Sequence, residues 1–488
     1  MTKTAWYDTL ATDQPKSKSV QCETYAAVLS LKELEDIRVA CPYKMTKFSY
    51  WIKNRDGEIC FEGAHSFEGE GVTEFMLKDA VSLSDFAPYE TENVDYLLDS
   101  GVTLSDGTEL SGFRIVKFFL RKGTSTKDLP RYDLLEKLNA IPIAKSDMTE
   151  EELRKICVDF MKLQCEFPYK FNADCHYTVA SQNKKRHLLP NTVYGGIPYV
   201  TAGAGSLYRL AEFFDPETGT IDFSGDIFND ILTYGNACSG AACMAWSRVV
   251  SSAYMGYCKD MTITGGFLPV GPYRYSQPEI VSFAKKKLNP NGYGTPDICR
   301  ENGEQVMFES YGQMKPADGI VVSGHVRMNT ALPTVVRKAD GTIDGDQSYA
   351  LMTEQVCYVS DRNHIRIAPD GTHYTAQGLV DRKYTFRELF ETDYIPVTFA
   401  EFSDPTCVEK SYVRALADAT PDKTILSSNY TISDIFLETE SGRYIYRLTD
   451  FCRKEVKLCE VFSKEILKGK IKASVRLFNG ETHTVLLG

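Results

Sequence analysis

The apolar residues of this chain change period twice, and that restricts the fold more than any other feature. Near the N-terminus, Phe48-Ser-Tyr-Trp-Ile-Lys-Asn-Arg-Asp-Gly-Glu-Ile-Cys-Phe61 is two aromatic, β-branched runs around an Asp56-Gly57 turn, the pattern of a β-hairpin. Asp106-Gly107, between Val102 and the run Phe113 to Leu120, repeats the signal. In the middle the period becomes helical. Thr149-Glu-Glu-Glu152 is a capping-box pattern, and Leu153, Ile156, Cys157, Phe160 and Leu163 recur along one helix face. From about residue 408 the β style returns. Tyr430-Thr-Ile-Ser-Asp-Ile-Phe-Leu-Glu-Thr-Glu-Ser-Gly-Arg-Tyr-Ile-Tyr446 aligns with Met45 to Phe61, Thr431 against Thr46 and Gly442 against Gly57, as a repeated β-sandwich-like module would.

At roughly 150 residues per domain, 488 residues predict about three domains. The period changes place them at 1–130 (β-rich), 131–405 (mixed) and 406–488 (β-rich). Within the middle unit, further helices are expected at Ser206–Phe214, Cys238–Tyr254 and Pro278–Leu288. Strands follow at Gly319–Met328, Thr334–Arg337 and Tyr349–Val359, with turns at Asp340-Gly341 and Asp344-Gly345. Helices first and strands later is the order of an α+β domain, which Pro396 and Ser403-Asp-Pro405 would close.

An apolar share of 43% with 25% charged residues is ordinary for a globular protein. The net charge of −11 speaks against nucleic-acid or anionic-membrane partners, which call for a surplus of Lys and Arg. No stretch approaches the ~18–20 apolar residues of a membrane span. The opening residues lack a basic region followed by an apolar one, so no secretory signal is visible; the cytoplasm, another exit route or a trimmed leader all stay open. The fourteen cysteines are scattered, without a CxxC pair, and Cys157, Cys165, Cys243 and Cys357 sit in apolar surroundings, as reduced, buried thiols do. The seven histidines show no zinc-finger spacing, and no GxxxxGK[ST] or GxGxxG occurs, so no metal or cofactor is expected.

Chemistry concentrates at two places. Gly235-Asn-Ala-Cys-Ser-Gly240 is a Gly-containing turn leading into a helix of small residues, Ala241, Ala242, Met244, Ala245, Trp246 and Val249. Cys238 then occupies the first helical turn, where free N–H groups and the positive dipole end stabilise a thiolate, the nucleophilic form. Farther on, Lys315-Pro-Ala-Asp-Gly319 is a turn, Ile320–Val322 a short strand, Ser323-Gly324 a kink and His325-Val-Arg-Met-Asn329 a second strand. A Cys nucleophile with a His base from a distant strand is the papain-like arrangement, in which a third polar side chain orients the imidazole.

Asn236-Ala-Cys-Ser-Gly240 before an Ala/Trp-rich helix, followed by Lys315-Pro-Ala-Asp-Gly319 and Gly324-His-Val326, resembles the NlpC-type family of bacterial cell-wall cysteine peptidases. The resemblance spans roughly Leu134 to Asp404 and rests on two short motifs in the right order. It implies a papain-like core, in which the Cys helix packs on an antiparallel sheet carrying the His, here flanked by sandwich-like β modules. It also implies a peptidoglycan or other peptide substrate. Gly195-Gly-Ile-Pro-Tyr199 resembles the family's Gly/Tyr segment, whose tyrosine reaches the site; Tyr199 is the match and Tyr194 the alternative.

Two departures stand out. The family's Asp before the Cys is Ala237 here, leaving its contact missing or supplied by Asn236. The third polar residue is displaced by an insertion and becomes Glu354 or Gln355; alternation puts these on opposite strand faces, so only one can touch His325, and a carboxylate suits the imidazolium better.

Cys175-His176, the charged cluster Lys184-Lys-Arg-His187 (read as a solvated loop) and the glycosylation-type triplet Asn429-Tyr-Thr431 are weaker features. The leading expectation is a cysteine hydrolase that cuts an amide bond in peptidoglycan stem peptides through an acyl-enzyme. The alternatives are a papain-like amidase or acyltransferase on a lipid or small molecule, and a non-catalytic binding or adhesion protein.

Overall fold

The computed structural model describes residues 3–6, 25–29, 31–35, 37–54, 58–90, 96–110, 116–120, 131–171, 175–179, 184–188, 194–200, 206–221, 235–251, 257–284, 292–356, 365–367, 373–376, 378–416, 420–448 and 453–488. They form a multidomain protein of mixed α and β structure with several sheets and three separate apolar cores.

The first core, between Leu34 and Leu120, belongs to an eight-stranded sheet. Its axis is the 17-residue strand Ile37–Lys53, long enough to take Val72–Met76 and Ile59–Ser66 as successive partners and Tyr96–Leu104 as another. The expected hairpin is present, with Lys53 opposite Ile59, although Asp56 and Gly57 lie outside the described residues. The second turn is also present: Gly107, at φ 82°, lies between Tyr96–Leu104 and Glu109–Leu110. The β structure at this end is one continuous eight-stranded sheet, in which the long strand gathers both hairpins.

At the C-terminal end, the hairpin Ile432–Thr439/Gly442–Arg447 belongs to a four-stranded antiparallel sheet. A three-stranded sheet of Val413–Leu416, Ile425–Ser428 and Glu455–Lys457 shares its core, through Leu426 and Val456 against Ile435, Leu437, Ala473 and Val475. The two ends thus have a hairpin in common but not the sheet around it, so the expected repeat stops there. The four-stranded sheet is tied to the middle of the chain by Arg209. Its guanidinium donates to Asp434 at 2.8 Å and to the Ser433 and Leu448 carbonyls, and both charged side chains are fully buried.

In the middle, the helix Glu150–Glu166 begins with the expected reciprocal box, Thr149 and Glu152 capping each other's backbone N–H. Its buried face meets the helix Cys238–Trp246, where Gln164 Nε2 donates to the Ala241 carbonyl at 2.9 Å. Small side chains at Ala241, Ala242 and Ala245 allow this close approach. Both helices lie on an antiparallel sheet in the order Leu268–Pro269, Ile395–Thr398, Gly319–Val322, His325–Asn329, Tyr349–Gln355, Gly378–Thr385. Arg154 bonds Asp318 and the Pro316 carbonyl beside this sheet, and Trp246 Nε1 donates to the Ala317 carbonyl at 2.8 Å. A side chain at Gly319 would meet the Trp246 ring at 2.8 Å, so that position admits only glycine.

Several expectations are corrected. The Cys238 helix ends at Trp246 rather than Tyr254: the N–H groups of Arg248 and Val249 donate to carbonyls three residues back, a tighter turn that closes the helix; residues 252–256 lie outside the described set. Over residues 277–284, the predicted Pro278–Leu288 helix is irregular. Ser282 and Phe283 donate to the Tyr293 and Lys259 carbonyls instead of to carbonyls one helical turn back. The helices here are Thr295–Asn302, with Pro296 in its first turn, and Glu304–Gly312, separated by Gly303. Thr334–Arg337 is reduced to isolated bridges, Thr334 to Tyr349 and Arg337 to Ile343. Lys184–Leu188 is a strand paired with Cys175–Val179, placing His187 opposite His176. Asn429 is buried, accepting from the Tyr412 N–H and donating to Glu409, which leaves its amide engaged rather than available to a glycan.

Cys157, Cys165 and Cys243 are buried, and Cys357 lies outside the described residues. Among the described residues, no helix is long and apolar enough to cross a membrane.

Candidate active site

Cys238 is the first residue of its helix, after an extended Ala237. Helix geometry leaves its N–H without an intrahelical partner and puts the positive dipole end at the sulfur. Asn236 holds this entry. Its Oδ1 accepts from the Ala237 N–H at 3.1 Å, and its amide faces Gln164 and Met244, inside the core rather than at the thiol. Asn236 therefore braces the turn.

Gly319–Val322 and His325–Asn329 form a tight hairpin, Val322 paired with His325 across Ser323-Gly324. Gly324, at φ 93°, adopts the left-handed backbone the turn requires. The turn brings His325 to the end of the sheet next to the helix start, and the Gly324 carbonyl lies 4.0 Å from Cys238 Sγ. The sulfur also interacts with the imidazole and with the Val326 N–H.

Strand alternation then selects the third residue. His325 and Arg327 share the face opposite the one that carries Gly319 against Trp246. On the next strand, Glu354 lies on the His325 side and its Oε2 contacts His325 Nε2. Gln355 lies on the other side, contacting the Ile197 carbonyl and Cys165 Sγ, so it is a core residue and not the partner of His325. With Nε2 on Glu354, Nδ1 is the ring nitrogen left for the thiol. Glu354 is fully engaged: Arg327 Nε donates to Oε2 at 3.0 Å and the Tyr384 hydroxyl donates to Oε1.

The charges reinforce one another. A hydrogen bond from the Cys258 thiol, and then the His325 charge, hold Cys238 well below the usual thiol range despite burial. Cys258, as the donor and itself buried, is pushed well above it. Burial disfavours the His325 cation, but Cys238 and Glu354 outweigh it and raise the imidazole to about 10. Burial likewise opposes the Glu354 anion and is outweighed by His325 and Arg327, which hold it below the usual carboxylate range. Both shifts favour the thiolate–imidazolium form of the pair.

Tyr199 enters from the other side. Gly196 packs against the Cys165 carbonyl at φ 84°, and the chain then runs to Tyr199, whose backbone bridges Asn236, two residues before Cys238. Tyr199 is half-buried, whereas Tyr194 is fully buried in an aromatic cluster with Tyr169 and Phe171. Arg327 and Cys258 escaped the sequence reading. Arg327 was signalled by its spacing of two from His325; Cys258 had no signal, because only folding brings the Cys258–Asp260 turn to the helix.

Among the described residues, no three His, Cys, Asp or Glu side chains converge as metal ligands would. Compared with protein-family models and with curated protein sequences, the chain matches none.

Proposed function

We propose that the chain is a cysteine hydrolase that cleaves an amide bond through an acyl-enzyme, with peptidoglycan stem peptides as its substrates. One observation carries the reading: a cysteine at a helix start, beside a histidine whose far nitrogen is held by a buried carboxylate. Cys238 attacks the carbonyl and forms a thioester. His325 Nδ1 gives its proton to the leaving nitrogen as the C–N bond breaks, then takes a proton from water for deacylation. The Cys238 N–H, with the Tyr199 hydroxyl, receives the oxyanion. The fold is read as a papain-like core over 131–405, and the units at 1–130 and 406–488 as β modules that hold the enzyme on its polymer.

The peptide substrate is supported by the likeness of the Cys238 and His325 segments to the NlpC-type peptidases. A second reading, an amidase or acyltransferase acting on a lipid or small molecule, is favoured by the burial of Cys238, 4% exposed, since scarce water suits another acyl acceptor. Incubation with purified muropeptides and mass analysis of the products separates the two. Released stem fragments, absent with Cys238→Ala, support the peptidase. Intact muropeptides, together with a stable acyl group on Cys238 from other donors, support the transferase. A Cys238 no more reactive than the exposed Cys407 would overturn both in favour of a binding protein.

A further inference from the structure

We propose that Arg327 is a positioning residue of this site: clamped between Tyr384 and Tyr394, its guanidinium holds the Glu354 carboxylate against His325 and balances its charge while the imidazole gives up its proton. The inference rests on the reading of Cys238 and His325 as nucleophile and base, and goes beyond it.

The guanidinium carbon of Arg327 lies 4.0 Å from the Tyr384 ring centre and 4.2 Å from that of Tyr394. The planar cation is thus sandwiched, with little freedom to leave, and its Nε donates to the Glu354 oxygen that His325 also contacts. Glu354 is 2% exposed, and a buried carboxylate stripped of its partner costs several kcal/mol. In the resting state His325 is one such partner. When Nδ1 gives its proton to the leaving nitrogen, the imidazole becomes neutral and keeps only a neutral Nε2–H on Glu354. Arg327, which does not deprotonate, remains as the cation. Without it the lone carboxylate would hold the imidazolium in its charged form and oppose proton donation.

Among the described residues, the groups facing this carboxylate and imidazole include Cys238 and Cys258 from the helix start and the adjoining turn, and Tyr384 from the next strand with Arg382 over its ring. Tyr394, beside the strand on the other side, faces them as well. Removing the Arg327 cation leaves thiolate, imidazolium and carboxylate with one uncompensated negative charge, which makes the thiolate harder to form.

The test uses the full-length protein and iodoacetamide, with alkylation of Cys238 followed by peptide mass against pH in wild type, Arg327→Met and Arg327→Lys. Arg327→Met is expected to raise the midpoint for alkylation by about one pH unit, a rate about ten-fold lower below the midpoint, with an unchanged plateau. Arg327→Lys, which keeps the charge, is expected to recover most of the shift. Superimposable wild-type and Arg327→Met profiles would overturn the proposal, as would a Lys variant displaced as far as the Met variant, since packing alone would then explain the effect. If Arg327→Met does not fold, Arg327→Gln removes the charge while keeping a donor, with the same expected and overturning outcomes. Failure of the underlying reading is distinct: wild-type Cys238 would then show no acid-side reactivity at all.

Discussion

The thiol of Cys258 lies beside the sulfur of Cys238 and lowers its pKa, so Cys238 has a sulfur neighbour as well as an imidazole. A bond to a charged acceptor contributes roughly 1.5–3 kcal/mol, and S–H is a weak donor, so the low end applies. Cys258→Ala should therefore raise the thiolate midpoint of Cys238 by about one pH unit. Ultraviolet absorbance of the thiolate against pH measures it, with Cys238→Ala as the blank.

Reactivity should separate Cys238 from the other thiols. About two pH units below the free-thiol pKa, near pH 6.5, an ordinary cysteine is about 1% thiolate. Cys238 should then alkylate up to about 100-fold faster than Cys407, which slight desolvation and the Asp404 carboxylate hold above the usual range. His325→Ala should remove most of the difference, leaving the part that Cys258 supports. Time-resolved iodoacetamide labelling with peptide mapping reads both.

The two neighbours Glu354 and Gln355 should behave differently when changed. Glu354→Gln keeps the size but removes the anion that supports the His325 cation, and should lower turnover by about 10²–10³-fold while the protein stays folded. Gln355→Ala breaks a buried contact with the Ile197 carbonyl instead; it should cost about 1–3 kcal/mol of stability and leave Cys238 labelling unchanged. Paired denaturation and labelling experiments on both variants check this.

The ion pair should also shape stability against pH. The folded His325 value, raised from 6.5 to about 10, contributes stability that is full below 6.5 and lost as pH rises through 10. The lowered Cys238 value contributes stability that is present above 9.0 and lost as pH falls through its depressed folded value. Between 6.5 and 9.0, at any pH above the depressed Cys238 value, the two proton counts cancel. Wild type minus Cys238→Ala should therefore show a plateau there, falling on the acid side, and on the alkaline side as pH passes from 9.0 to 10. Urea denaturation at a series of pH values gives the curve.

Asp434 accepts from Arg209 and Arg476 at 2.8 Å each, with its carboxylate fully buried. Asp434→Asn leaves those cations without their central anion and should destabilise the protein by about 3–5 kcal/mol, without altering Cys238 labelling. Thermal or urea unfolding measures the loss.

Local patterns were readable where a few adjacent residues settle the outcome. The Thr149–Glu152 box, the hairpin across Gly442 and the Ser323-Gly324 turn lie where spacing and turn chemistry put them. The helices Thr295–Asn302 and Glu304–Gly312 were missed although Pro296 and Gly303 punctuate them, because neither carries a long apolar stripe. The irregular 277–284 segment carries a helical-looking pattern but is held by Tyr293 and Lys259, which come from elsewhere in the chain.

From the order of residues alone follow a thiol at the head of a small-residue helix, a histidine opening a strand, and the rule that Glu354 and Gln355 face opposite ways. These depend on dihedral periodicity and helix ends, properties of short stretches of chain. Which of the two faces His325, and that Cys258, Arg327, Tyr384 and Tyr394 surround the pair, was decided by the packing of the sheet between its helices. Electrostatic interactions act through space, so the charge state of Cys238 depends on neighbours that are distant in sequence and meet only in the folded chain.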